Sequence, residues 1–315
     1  MTADSRPILA TAVVPWTERF EFDEEMFCRE VETIACELTR HIYVFGTAGE
    51  GYAVNEKQFD QIATAFWRSA QQHGVSAMLG VISLSLPTII DRIGRGHAMG
   101  FREFQLSLPS WGALNDRELE IFFAETCGRF PDCRFLHYNL IRSKRLLTAT
   151  DYRRLAVAHP NLVAVKFGSK DPAVVADMLT MSPRIQFFFT EFAYTIARRT
   201  HDVGLLISLA SVDYARAKEF VNGDGPTRDV AVTDFLTMGE ALREISSGKF
   251  HIDGGYDKML FRLNHAAFPL RLLPPYQGPS EEDFERFRAA LPMRWRRQGF
   301  GPPQPVPTAN DRTAE

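Results

Sequence analysis

Short apolar runs recur along the first two thirds of the chain, each followed by a stretch with apolar positions three and four apart. The runs are Ile8 to Val14, His41 to Phe45, Ser76 to Ile82, Glu103 to Leu108, Arg134 to Tyr138, Leu162 to Phe167, Ile185 to Phe189 and Val203 to Ser208. They read as continuously apolar rather than alternating, which is the pattern of parallel strands buried on both faces. The stretches between them have recognisable helix starts. Asn55-Glu56-Lys57-Gln58 reads as a capping box that opens a helix with Phe59, Ile62, Ala63 and Phe66 on one face. Asn115-Asp116-Arg117-Glu118 opens Leu119, Phe122 and Phe123 in the same way. Asp171-Pro172 places a cap before a proline at the first helical position. Each strand-plus-helix unit takes about 30 residues, as a crossover connection requires. Eight units in series predict a closed (β/α)8 TIM barrel over residues 1–222, in preference to an open sheet.

From 223 to 300 the pattern turns helical, with breaks at Gly254-Gly255, Pro274-Pro275 and Gly278-Pro279-Ser280. This segment is read as a C-terminal helical extension packed on the barrel. Residues 301–315, with Pro302, Pro303, Pro305 and Pro307, read as a flexible tail.

Composition narrows the class. The chain has 315 residues, 45% apolar and 24% charged, with a net charge of −3 and both signs mixed along it. That balance argues against a polyanion-binding surface, so no nucleic-acid partner is expected. The basic stretch Arg294-Trp295-Arg296-Arg297 reads as a solvated helix end. Cys28, Cys36, Cys127 and Cys133 form no C-x-x-C pair and have no histidine at ligand spacing, which suits reduced thiols in the cytoplasm. The opening Met1-Thr2-Ala3-Asp4-Ser5-Arg6-Pro7 has no apolar leader core. No segment is apolar for the roughly 18 residues a membrane span needs.

In a barrel, the active site lies at the C-terminal ends of the strands. Polar residues there are therefore the candidates. Lys166 ends the run Leu162-Val163-Ala164-Val165-Lys166. Burying an ammonium ion is costly, which favours the neutral amine that a Schiff-base nucleophile needs. A lysine reaching out to the barrel rim is the other reading. Tyr138, in Phe135-Leu136-His137-Tyr138-Asn139, could shuttle protons or could be structural. The loop Gly46-Thr47-Ala48-Gly49-Glu50 can bring backbone N–H groups close to an anion such as a carboxylate, or can be a plain turn. It has neither the spacing of a P-loop nor that of a dinucleotide fingerprint. Ser208 ends the last run as a substrate contact or a solvated serine. The eight histidines are scattered, so neither a metal site nor a metal-dependent aldolase is expected.

Together, Gly46-Thr47-Ala48-Gly49-Glu50, Tyr138-Asn139 and Lys166, in that order on eight βα units, resemble the dihydrodipicolinate synthase and N-acetylneuraminate lyase family. The resemblance covers roughly residues 8–222. It implies a class I lyase acting on a 2-oxo acid, forming or using pyruvate, without metal or other cofactor and usually as a homo-oligomer, tetramer or dimer. Lys166 would form the imine, Tyr138 would relay protons and Thr47 would complete the relay. Amides around Gly46, Thr47 and Ala48 would hold the carboxylate, with Ser208 a further contact. Several departures bear on the substrate. Ala48 replaces a second hydroxyl residue of many members. Trp111 lies where the synthase has a tyrosine reaching a neighbouring subunit. Ser143 stands in place of the synthase's arginine, with Arg142 beside it. Glu191 is the polar residue of the segment matching the lyase's sugar-binding stretch. Pro109-Ser110-Trp111 is similar to a segment of the hydratase-aldolase branch, whose aryl substrate would be walled by Trp111 and Phe192, with Asn264 a further contact. The expected activity is thus a pyruvate-forming aldolase or hydratase-aldolase, with an aldehyde as the other small-molecule partner. Alternatives are a 2-oxo-3-deoxy sugar acid dehydratase or aldolase, 4-hydroxy-tetrahydrodipicolinate synthase, or a catalytically lapsed barrel that binds a 2-oxo acid.

Overall fold

The computed structural model describes residues 7–181, 184–250 and 252–296. The tail from 301, the residues before Pro7 and Arg297 lie outside the described residues. Eight parallel strands run in chain order around a closed barrel: β1 (Ile8–Thr11), β2 (His41–Val44), β3 (Ser76–Gly80), β4 (Glu103–Leu106), β5 (Arg134–Asn139), β6 (Leu162–Phe167), β7 (Gln186–Phe189) and β8 (Gly204–Leu206). Pairing of Ile8 with Leu205 closes the ring. The crossovers carry α1 (Glu24–Glu37), α2 (Glu56–His73), α3 (Leu86–Met99), α4 (Asp116–Phe123), α5 (Ala149–Ala158), α6 (Pro172–Leu179) and α7 (Glu191–Ala197), and α8 (Tyr214–Asn222) follows β8. Each expected helix start is present. Asn55 and Gln58 exchange side-chain and backbone bonds, as do Asn115 and Glu118, and Asp171 caps α6 ahead of Pro172.

All eight runs contain a strand, but several strands stop short of their run. Beyond Thr11, Val13 N–H donates to Glu30 and Val14 C=O accepts from Lys258, so the chain leaves the ladder while staying buried. An apolar run cannot distinguish strand from buried loop.

The strand period of two divides the core. Leu9, Tyr43, Met78, Leu136, Ala164 and Leu206 form a small cluster inside the barrel. Their outward neighbours Ala10, Ile42, Val44, Phe135, Val165 and Leu205 belong to the larger core between strands and helices. Two residues further along the same inward faces come Thr11, Tyr138 and Lys166. The barrel interior therefore changes from apolar to polar in one step toward its C-terminal mouth.

The extension contains α9 (Gly225–Ser246), α10 (Ile252–Arg262) and α11 (Glu281–Ala290). Three expectations are corrected here. Gly254-Gly255 does not break a helix but lies in the first turn of α10, where the Asp257 carboxylate accepts the Gly254 N–H at 3.0 Å. Residues 263–280 are not helical; they form an irregular stretch with a cis Pro274–Pro275 bond. Trp295 of the basic stretch is buried rather than solvated, and its indole N–H donates to Asp234 at 2.8 Å. All four cysteines are free. No helix among the described residues is long and apolar enough to cross a membrane.

Candidate active site

Lys166 lies inside the barrel mouth, 3% exposed. Its Nζ donates to the Tyr43 hydroxyl at 2.8 Å and to Gln105 Oε1 at 3.3 Å. The same nitrogen sits 3.8 Å from the ring centroid of Tyr138 and 4.3 Å from that of Tyr43. Two ring faces and two oxygen acceptors offset part of the cost of burying the amine. The placement follows from register, since Tyr138 and Lys166 are direct partners across β5 and β6. Burial, and then the neighbouring Tyr138, push the Tyr43 phenol well above its ordinary range, so it stays neutral.

Tyr43 and Gln105 were not among the residues singled out from the sequence. Tyr43 lies in the middle of an apolar strand and reads there as core. Gln105 is the one uncharged polar residue in Glu103–Leu106, and that is the signal that could have marked it. It is completely buried, and its Nε2 has no partner among the described residues.

The loop after β2 is held by close packing. A Cβ on Gly46 would lie 2.5 Å from Cε2 of Tyr43, and one on Gly49 would lie 2.7 Å from the Phe45 nitrogen. Phe45 takes a left-handed backbone with φ +63° while its ring stacks on Phe59 at 4.9 Å. Such a conformation is uncommon for a bulky residue and persists where surrounding packing over-determines it. Glu50 ends the motif as an anchor. One carboxylate oxygen accepts from the Trp16 indole and pairs with Lys258, both at 2.8 Å, and the other accepts Leu273 N–H at 2.7 Å. Asn139 does the same for the next motif, exchanging bonds of 2.8 and 2.9 Å with the Leu147 backbone. The sequence motifs thus combine residues that face the mouth with residues that fix its loops.

A cavity of about 330 Å³ opens at this mouth. Thr47, Ser83, Ser107, Ser110 and Arg142 line it, with Tyr52, Tyr276 and a few aliphatic side chains. Lys166 and Tyr138 are not on that lining. Lys166 is buried next to Gln105, which accepts from it and precedes the lining residue Ser107 by two positions, and Tyr138 packs its ring on the same amine. Thr47 and Arg142 therefore share the cavity, while Lys166 and Tyr138 form its deeper partner. Ala48 is buried beside Thr47 and adds no hydroxyl.

The remaining candidates lie elsewhere. Trp111 is 85% exposed, and its backbone oxygen accepts from Lys144 at 2.8 Å. The Phe192 ring lies under Lys170 Nζ at 4.6 Å. Neither lines the cavity, so the apolar wall expected of them is not built within this chain. Glu191 is 1% exposed and its Oε1 accepts Ser208 N–H at 2.7 Å and Ala210 N–H at 3.0 Å, holding the turn after β8. Burial pushes its carboxyl up, opposed by those backbone bonds. Ser208 Oγ is 2.8 Å from the Tyr256 hydroxyl, and Asn264 donates to Ser211 C=O at 2.7 Å. These three form one corner that ties the last strand to α10. Among the described residues, the one cluster of metal-ligand types is His97, Asp132 and Cys133. It lies at the end of α3 and just before β5, at the opposite end of the barrel from Lys166.

No family model and no curated protein sequence matches the chain. Solved structures do. A prophage protein of the dihydrodipicolinic acid synthase family from E. coli K12, in complex with pyruvate, aligns over 89% of this chain and 95% of its own with a TM-score of 0.78 and 14% identity. N-acetylneuraminate lyase from Proteus mirabilis aligns over 90% of this chain and 98% of its own, with a TM-score of 0.76 and 14% identity. A catalytic lysine mutant of Ruminococcus gnavus sialic acid aldolase aligns over 90% and 93%, with a TM-score of 0.75 and 12% identity. This chain has the fold of these three proteins. At such identities the likeness is one of architecture: a (β/α)8 barrel followed by C-terminal helices.

Proposed function

We propose that the chain is a class I lyase acting on a 2-oxo acid, with Lys166 as the imine-forming residue. The observation that carries the reading is the Lys166 amine, buried at the mouth of the barrel against the ring of Tyr138 and beneath a cavity bearing Thr47. A lysine amine buried at the C-terminal mouth of a barrel, where the active sites of this fold lie, is a candidate functional group. The pyruvate complex of one structural neighbour and the catalytic lysine named for another support the same choice of substrate and nucleophile.

In this reading the Lys166 amine, after giving up a proton, adds to C2 of the 2-oxo acid. The new C–N bond displaces the carbonyl π pair onto oxygen, which takes one proton from the added nitrogen and a second through Tyr138 and leaves as water, the nitrogen lone pair closing the C=N bond. The resulting protonated imine draws electrons from the adjacent C3–C4 or C3–H bond and gives an enamine. The Tyr138 hydroxyl moves the protons, Thr47 on the cavity wall completes the relay, and Arg142 offers a cation for an anionic group at the outer wall. Each step is carried by side chains of this chain, without a metal or organic cofactor.

Borohydride trapping tests the proposal. Wild-type protein incubated with pyruvate and reduced should gain one reduced pyruvyl group on the peptide containing Lys166, seen by mass spectrometry. Lys166→Ala should gain none and lose turnover. Absence of an adduct with pyruvate and with longer 2-oxo acids would refute the mechanism and favour the lapsed, ligand-binding barrel.

A further inference from the structure

Strand β4 and its continuation carry two buried polar side chains with unused hydrogen-bonding groups. Gln105 is completely enclosed and Ser107 is 4% exposed. Gln105 spends its Oε1 on Lys166 at 3.3 Å, but neither its Nε2 nor Ser107 Oγ has a partner among the described residues. Gln105 lies in β4 and Ser107 directly follows its last residue, two positions further on, a spacing that in extended chain puts both side chains on one side. Ser107 lines the cavity while Gln105 touches the amine beneath it. The pair makes a polar track from the reacting nitrogen to the open space.

A buried polar group without a partner costs stability, and an apolar side chain of similar shape avoids that cost. Two such groups in succession, at the point where an imine would form, indicate a partner that arrives with the substrate. The cavity wall around Ser107 is itself rich in hydroxyls, from Thr47, Ser83 and Ser110. Trp111, the aromatic side chain that could have favoured an aryl group, points into solvent instead.

We propose that Gln105 and Ser107 contact the substrate and set its specificity. The amide N–H of Gln105 donates to the C4 hydroxyl oxygen, three bonds from the imine carbon, and Ser107 Oγ bonds an oxygen further along the chain. The substrate class this selects is a 2-oxo acid carrying hydroxyl groups on C4 or C5, in preference to pyruvate alone or an aryl-substituted acid. The inference rests on the Schiff-base reading of Lys166.

The test compares borohydride-trapping efficiency for two probes, pyruvate and a six-carbon 2-oxo-3-deoxy acid with hydroxyls on C4 and C5. It uses wild type, Ser107→Ala, Ser107→Thr and Gln105→Met, each checked for folding by circular dichroism. The deciding quantity is the ratio of the two efficiencies, which a loss of overall structure does not move selectively. Wild type should favour the hydroxylated acid. Ser107→Ala should lower the ratio by about tenfold, the effect of one lost hydrogen bond, and Ser107→Thr should retain it. Gln105→Met should lower the ratio as well. Should Ser107→Ala fail to fold, Ser107→Cys, closer in volume, reads the same ratio. A ratio unmoved by Ser107 and Gln105 substitutions, or a wild type that favours pyruvate or an aryl acid, would overturn the track alone. No wild-type adduct with any 2-oxo acid would overturn the Schiff-base reading, and this inference with it.

Discussion

Glu50 and Lys258 offer the sharpest test of how the mouth is held. Both side chains are 0% exposed and their charged atoms are 2.8 Å apart. At an effective dielectric of about 20, charges at that distance attract by about 6 kcal/mol, most of which repays desolvation. Glu50→Gln leaves the Lys258 ammonium buried without a counter-ion. It also turns an amide N–H₂ toward one of three donors: the Trp16 indole, Leu273 N–H or Lys258 itself. Removing one partner of such a pair costs about 3–5 kcal/mol. For a chain this long that lowers the melting temperature by roughly 5–8 °C. Lys258→Met should cost a similar amount, since it strands the carboxylate. The double variant, with neither charge left, should cost at least about 2 kcal/mol less than the sum of the singles. Urea unfolding of the four proteins measures the coupling. Additive losses, or single losses below about 1 kcal/mol, would refute the claim that this pair anchors the loop to α10.

Two further predictions follow from neighbouring groups. Burial holds the Glu30 carboxyl well above the usual carboxylate range, partly offset by the Val13 N–H and by Lys258. A carboxyl with a raised folded-state pKa destabilises once it ionises. Glu30→Gln should therefore raise the melting temperature at pH 8–9, and the gain should fade as pH falls through about 4, below which the carboxyl is protonated in both states; a gain constant with pH would contradict this. Tyr43→Phe keeps the ring but removes the hydroxyl that accepts from Lys166 at 2.8 Å. Loss of that bond, about 1.5 kcal/mol, should slow borohydride trapping about tenfold with the circular dichroism spectrum unchanged. An unaltered trapping rate would make the phenol a packing residue.

The βα rhythm alone determined the barrel, because the strand and helix periods and their caps are local properties. Asn55, Asn115 and Asp171 cap the helices that their spacing announces. Lys166 and Tyr138 were also legible, as polar residues interrupting the ends of apolar runs. Tyr43 and Gln105 were not, since a strand buried on both faces gives little polar contrast to show which residues face the axis. Tyr43 meets Lys166 across 123 residues of chain, and Gln105 meets it across 61. Glu191 and Asn264 are polar residues near the ends of elements, as catalytic groups often are, and only the packing of β8 on α10 shows them bonded to backbone. Closure of the barrel decides these assignments, because the ring of eight strands sets which side chains point at the same few cubic ångströms, and no window of local sequence contains that ring.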